Sequence, residues 1–174
     1  MGSAFKGLFI VMIVSFAIAT FWNKVPIIKD TIHLILDPSA GHLLTWNATF
    51  GMILFSIIIA LFLTLIQKYT TDQETLRELK KEQKLLQEEM KKYKEHPEKL
   101  MELQKKQFAI IPKTMEITMR PIMYTSIPII LFFRWFNDYF ADFPTKILGM
   151  HWLLTYIIFS MIFTTIFRKV FNVA

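Results

Sequence analysis

The chain has 174 residues, 53% of them hydrophobic, with 17 Phe and a mean hydropathy of +0.39, too apolar for an ordinary soluble domain of this size. It contains no Cys, which excludes disulfides, thiolate metal sites, iron–sulfur clusters and cysteine nucleophiles. The net charge of +6 is unevenly placed: 12 of the 20 Lys+Arg and 9 of the 14 Asp+Glu lie between Gln67 and Lys113, so apolar segments surround one charged insert. In such a chain excess positive charge sets topology and meets anionic lipid; no specific DNA binding is expected.

An apolar window runs from Phe5 to Trp22 within an N-terminal segment, residues 1–23. It reads as an uncleaved helix, with a signal peptide as the alternative because Ala17-Ile18-Ala19 resembles a cleavage site. Residues 24–46 hold the breakers Pro26, Pro38 and Gly41 around the amphipathic stretch IIKDTIHLIL, suited to lying flat in the outer interface. Residues 47–67 form the first core span, free of charge from Asn47 to Ile66. On it Thr49, Ser56, Ala60, Thr64 and Gln67 share an arc of roughly 80° opposite Phe, Ile and Leu.

The insert, residues 68–113, places Leu76, Leu79, Gln83, Leu86, Met90 and Tyr93 at alternate spacings of three and four, the pattern of a coiled-coil seam. After Pro97 the spacing returns in Leu100, Leu103, Gln107 and Ile110 until Pro112, which predicts an antiparallel helical hairpin turning at Lys94 to Pro97. Residues 114–136 form the second core span, with Arg120, Pro121, Pro128 and Arg134, a Met115/Met119/Met123 row, and Thr118, Thr125 and Ser126 beside it. An outer loop covers 137–149. Residues 150–174 hold the third core span, where Tyr156, Ser160, Thr164 and Arg168 follow at steps of four, and the tail.

The positive charge of the insert and of Arg168-Lys169 places hairpin and C-terminus in the cytosol, and Trp22, Trp46, Trp135 and Trp152 then all fall at the outer interface. No HExxH, GxSxG, Walker A or GxGxxG occurs; the four His are too dispersed to form a ligand set and read as bystanders. The inner parts of the spans carry no Asp, Glu, Lys or His, so neither an enzyme nor a proton-coupled carrier is expected, and neither is a cofactor. The fold class is therefore all-α: an integral membrane protein with a three-helix core, an extra N-terminal helix and a cytosolic coiled-coil hairpin.

The order of parts, a span, a basic hairpin, then two spans joined by a short outer loop, resembles the YidC/Oxa/Alb superfamily of membrane protein insertases. Within it the chain is most similar to the archaeal YidC-like branch, itself similar to the third subunit of the endoplasmic-reticulum membrane protein complex. The likeness covers Leu36 to Lys169 and rests also on Leu36-Asp37-Pro38, Met115, Met119, Pro121, Pro128, Trp135, Asn137, Pro144, Trp152, Tyr156, Ser160 and Arg168-Lys169. One departure stands out: bacterial members carry an arginine inside the first core span, and Asn47 to Ile66 has none.

The resemblance implies an insertase or chaperone in the plasma membrane of a prokaryote, an archaeon, passing client spans into lipid through a polar groove. Groove candidates are Thr49, Ser56, Thr64, Gln67, Arg120, Thr125, Ser126, Tyr156, Ser160 and Thr164; client contacts are Met115, Met119 and Met123. Partners would be membrane lipid, nascent membrane proteins and, through the basic hairpin, the ribosome; whether a partner subunit completes the groove stays open. Two rivals remain on the residues alone: a small oligomeric ion channel, and an anchored coiled-coil tether.

Overall fold

A computed structural model describes residues 2–174, with side chains from Lys6 onward; Met1, first residue of the predicted N-terminal segment, lies outside the described residues. The chain is 88% helical, with no strand among the described residues. The helices are α1 (Gly2–Phe21), α2 (Pro26–Leu36), α3 (His42–Trp46), α4 (Ala48–Thr70), α5 (Gln73–Lys92), α6 (Pro97–Asp142) and α7 (Trp152–Val170), with a π-turn at Asp37–Gly41 joining α2 to α3. Among the described residues three stretches are long and apolar enough to cross a membrane: Lys6–Lys24, Ala48–Thr70 and Trp152–Val170.

Local chemistry explains most boundaries. Asn47 caps α4 by accepting from the Phe50 amide at 2.9 Å. Asp72 caps α5 through the Thr75 amide (3.1 Å) and hydroxyl (2.7 Å), and Glu74 in its first turn with Lys91 and Lys92 in its last complement the helix dipole. Pro97 occupies the first turn of α6, where its missing N–H costs nothing.

The main difference from the sequence expectation is α6. The sequence predicts a stop at Pro112 and a separate span over residues 114–136, yet one helix of 46 residues passes through Pro112, Pro121 and Pro128 and continues to Asp142, shortening the predicted loop. An internal proline forfeits one ladder hydrogen bond, at a cost of about 3 kcal/mol. Packing from other helices holds α6: Ile110 and Ile117, on either side of Pro112, pack in the cluster shared with α5, and α1 lies along the later half.

That α1 contact is parallel and in register. Gly7 lies against the Met123 methyl group, and the Trp22 indole donates to Asp138, both pairs separated by 116 residues. The N-terminal helix is thus a packed member of the bundle. On the other side α4 packs chiefly with α7, and Gly51 lets α3 approach α4, since a Cβ there would come within 2.8 Å of Leu44 Cδ2 and 3.2 Å of its Cα. The core sits at the end remote from α5, where Met52, Phe55 and Ile59 of α4 meet Trp135, Phe136, Tyr139 and Phe140 of α6 and Trp152 and Tyr156 of α7.

Candidate functional site

The predicted groove residues lie on three helices, Thr49, Ser56, Thr64 and Gln67 on α4, Arg120, Thr125 and Ser126 on α6, and Tyr156, Ser160 and Thr164 on α7; of these, Tyr156 lines the space between α6 and α7 that α4 floors. Ring contacts joining α6 to α7 lie at the end remote from α5: Phe133 with Tyr156, Phe136 with Trp152 and Tyr156, and Phe140 stacked on Trp152 at 5.6 Å. Below these rings is a cavity of 10 Å³ between Ile59, Ile129, Phe133 and Tyr156, barely the space of one water. A larger opening of 220 Å³ lies between α4 and α6, lined by Ile58, Phe62, Pro128 and Phe132. Both are apolar, and the rings seal one end.

Five of the predicted hydroxyls are satisfied within their own helices. Ser56 donates to the Met52 carbonyl at 2.8 Å, Thr64 to Ala60 at 2.7 Å, Thr125 to Pro121 at 2.9 Å, Ser126 to Ile122 at 2.6 Å and Ser160 to Ile157 at 3.0 Å. Ser56, Thr64, Thr125 and Tyr156 are buried, whereas Thr49, Gln67, Ser126, Ser160 and Thr164 are half-buried. Small residues at 56, 60 and 64 suit close packing of α4 with its neighbours, the ordinary use of small side chains between membrane helices. In the methionine row, Met115 is exposed, Met119 is half-buried, and Met123 is covered by α1 at Gly7.

Charge gathers at the opposite end, where α4, α5, α6 and α7 meet. Asp72 is held below the usual carboxylate range by its hydrogen bonds from Thr75 and by the nearby Arg120. Desolvation and then the charge of Arg168 push Lys80 down. Arg77 donates to the Asn172 carbonyl, and Gln73 accepts from the Ala174 amide at 2.8 Å, fastening the tail across the start of α5. Arg120, a groove candidate from the sequence, thus stands near Asp72, and Arg168 near Lys80, at this charged end, the mouth.

The arm above the mouth is α5 packed on the first half of α6. Leu79, Leu86, Leu103 and Ile110 form its buried cluster, Met90 packs against it, and Gln83 donates to Thr114 at 3.4 Å. Leu76 is also buried, while Leu100 is half-buried.

Sequence reasoning missed the network at the ring-sealed end. Asp138 accepts from Trp22 Nε1 at 2.7 Å and pairs with Lys29 at 3.2 Å and His33 Nε2 at 3.4 Å, while Asp37 accepts from Trp135 Nε1 at 2.8 Å and lies 3.1 Å from His33 Nδ1. Burial acts to raise the Asp138 pKa, but hydrogen bonds from Trp22, Lys29 and His33 outweigh it and leave the carboxyl below its ordinary value of 3.8. His33 is therefore no bystander, and Trp22, Trp135 and Trp152 are buried pins; Trp46, at 73% exposure, keeps the form of an interfacial anchor. Spacings of 98 and 116 residues hid these pairs. Among the described residues no group of His, Asp and Glu is arranged to hold a metal.

Comparison with family models matches residues 33–174 to the family described as integral membrane protein EMC3/TMCO1-like. Neither the curated proteins nor the solved structures yielded a match.

Proposed function

We propose a function from one premise: the chain belongs to the EMC3/TMCO1-like family of integral membrane proteins. It is an insertase or membrane chaperone that takes apolar segments from the cytosolic side and releases them into lipid between α6 and α7. The observation that supports this reading is α6 itself, one continuous helix running from the charged arm past Arg120 to the ring-sealed end. A segment engaged on the arm is thereby led to the lipid-facing opening without a break in the guiding surface.

The physical task is to lower a barrier, since a charged flank costs about 2.5–3.5 kcal/mol at the bilayer centre on insertion scales. Arg120, Arg168 and Lys80 at the mouth attract acidic flanks and anionic headgroups, and burial of the client helix in lipid supplies the drive at roughly 25 cal/mol per Å². Polarity therefore acts at the mouth, while the inner hydroxyls, already bonded to their own helices, let α4 and α7 stay closely packed. The arm, with 12 Lys+Arg against 9 Asp+Glu between Gln67 and Lys113, faces the cytosol and the ribosome. A pore through a single copy would need a wet path where Phe136, Phe140 and Trp152 instead fill the interior; the oligomeric channel predicts conductance by the purified protein in a planar bilayer.

The test is photocrosslinking from positions 119, 126 and 160 on ribosomes stalled with a short membrane protein emerging. Crosslinks from all three to the nascent span are expected. Crosslinks only to lipid or to other copies of the chain would overturn the reading.

A further inference from the structure

Arg134 lies on α6 inside residues 114–136, the predicted second core span, one turn or about 6 Å before Asp138. Its side chain is half-buried, and its Nε is buried with no hydrogen-bond partner. Asp138, the nearest acid in sequence, is already held by Trp22, Lys29 and His33. A guanidinium at membrane depth is as a rule balanced by an acid or a carbonyl oxygen, and a charge left without one marks a site.

The guanidinium carbon stands 5.8 Å from the centre of the Trp22 ring. That ring is also one wall of a cavity of 260 Å³ at the elbow where the chain turns through Trp22–Lys24 from α1 into α2; Ala17, Ile18, Phe21, Val25 and Ile28 complete it. Phe21 carries a second cation, since Lys24 Nζ lies 5.7 Å from its ring centre. No ion pair among the described residues involves either Arg134 or Lys24. The cavity is walled by apolar side chains, so water inside it would find no partner and an apolar chain is what its chemistry accepts. These lining residues all precede residue 33, where the family match begins, so the cavity lies outside the core this chain shares with its family.

We propose that the elbow between α1 and α2 is a binding site for one anionic phospholipid of the leaflet at the ring-sealed end, with an acyl chain in the cavity and the headgroup phosphate between Arg134 and Lys24. Charge complementarity selects this occupant. A phosphodiester supplies the anion that Arg134 lacks, in a charge-assisted pair that guanidinium groups favour, and its covalently attached chain fills the cavity beside it. An apolar side chain from a second protein would fill the cavity and leave both cations unbalanced. A zwitterionic headgroup brings its own ammonium, so a headgroup such as phosphatidylglycerol balances the two cations better. The bound lipid fastens the elbow to α6 from the bilayer side, and the inference stands apart from the insertase reading.

The test puts the full-length protein into phosphatidylcholine nanodiscs with a trace of phosphatidylglycerol that carries a diazirine on its acyl chain, and maps the adducts by mass spectrometry after irradiation. Adducts are expected chiefly at Ala17, Ile18 and Val25. Replacing part of the phosphatidylcholine by unlabelled phosphatidylglycerol should displace them, whereas replacing it by phosphatidylethanolamine should not. Phe9 and Phe16, exposed on α1 and outside the cavity, report bulk lipid. Arg134→Gln should lower the elbow adducts about tenfold and Lys24→Gln about fivefold, with helicity and the Phe16 adducts unchanged. Arg134 also packs on Trp22, so Ala17→Phe, which fills the cavity without altering a charge, provides a separate arm and should abolish the elbow adducts.

Elbow adducts no stronger than those at Phe9 and Phe16, or displaced equally by phosphatidylethanolamine, show bulk lipid only and overturn the site. So does displacement by inorganic phosphate as effective as that by phosphatidylglycerol, which shows an anion site without a lipid. Loss of the adducts when two copies share a disc shows a second copy as occupant, and adducts unmoved by all three substitutions show that neither cation nor cavity holds the lipid; each overturns the proposal.

Discussion

Asp138 is the most exacting test of how the N-terminal helix is held. Its side chain is 15% exposed and receives the indole N–H of Trp22, a residue only 1% exposed, together with Lys29 and His33. Asp138→Ala leaves a buried indole donor without a partner, worth about 1–3 kcal/mol, and removes a partly exposed ion pair worth up to about 1 kcal/mol, a total of about 1–4 kcal/mol. Asp138→Asn keeps an acceptor for Trp22 and should cost about half as much. The sign with pH follows from the depressed carboxyl: its stabilisation is fully present above the ordinary value of 3.8 and is lost as pH falls through the lower folded value. Denaturant titrations in nanodiscs, followed by Trp fluorescence, should show a wild-type advantage that is constant above about pH 5 and shrinks below about pH 4. Equal stability of wild type and Asp138→Ala would refute the argument, as would a deficit that persists undiminished at low pH.

Gly51→Ala places a methyl group within 2.8 Å of Leu44 Cδ2 and 3.2 Å of its Cα; overpacking of about 1–3 kcal/mol, less up to about 1 kcal/mol gained in helix propensity, predicts a net loss measurable by the same titration. Leu148 and Gly149 both have positive φ (54° and 77°) in the turn closed by the paired Ile147 and Met150 bonds, so Leu148→Asn should stabilise by about 0.5–1 kcal/mol, whereas Leu148→Val should destabilise.

Much of this protein was legible in one dimension because apolar run length and heptad spacing are local properties. The charge-free run before Lys68 fixed α4 to within a few residues, and Leu79, Leu86, Leu103 and Ile110 announced the packed arm. The groove candidates were legible only as helix faces. Their position on an arc could not distinguish a wet wall from a packed one, and Ser56, Thr64 and Thr125 are buried and donate to the carbonyls of Met52, Ala60 and Pro121 one turn back in their own helices.

The tertiary structure decided what local rules leave open. Pro112 is a stop signal in isolation, and packing to α5 on either side of it carries α6 through. Met123 belongs to an exposed-looking row until Gly7 of a parallel helix lies on it. Isolated histidine and aspartate residues become a network only when α1, α2 and α6 bring Trp22, His33 and Asp138 together across more than 100 residues. Element type follows from near neighbours in sequence, and the sequence alone determined it; partners follow from which faces meet in space, and the free energy of that meeting is written in distant residues at once.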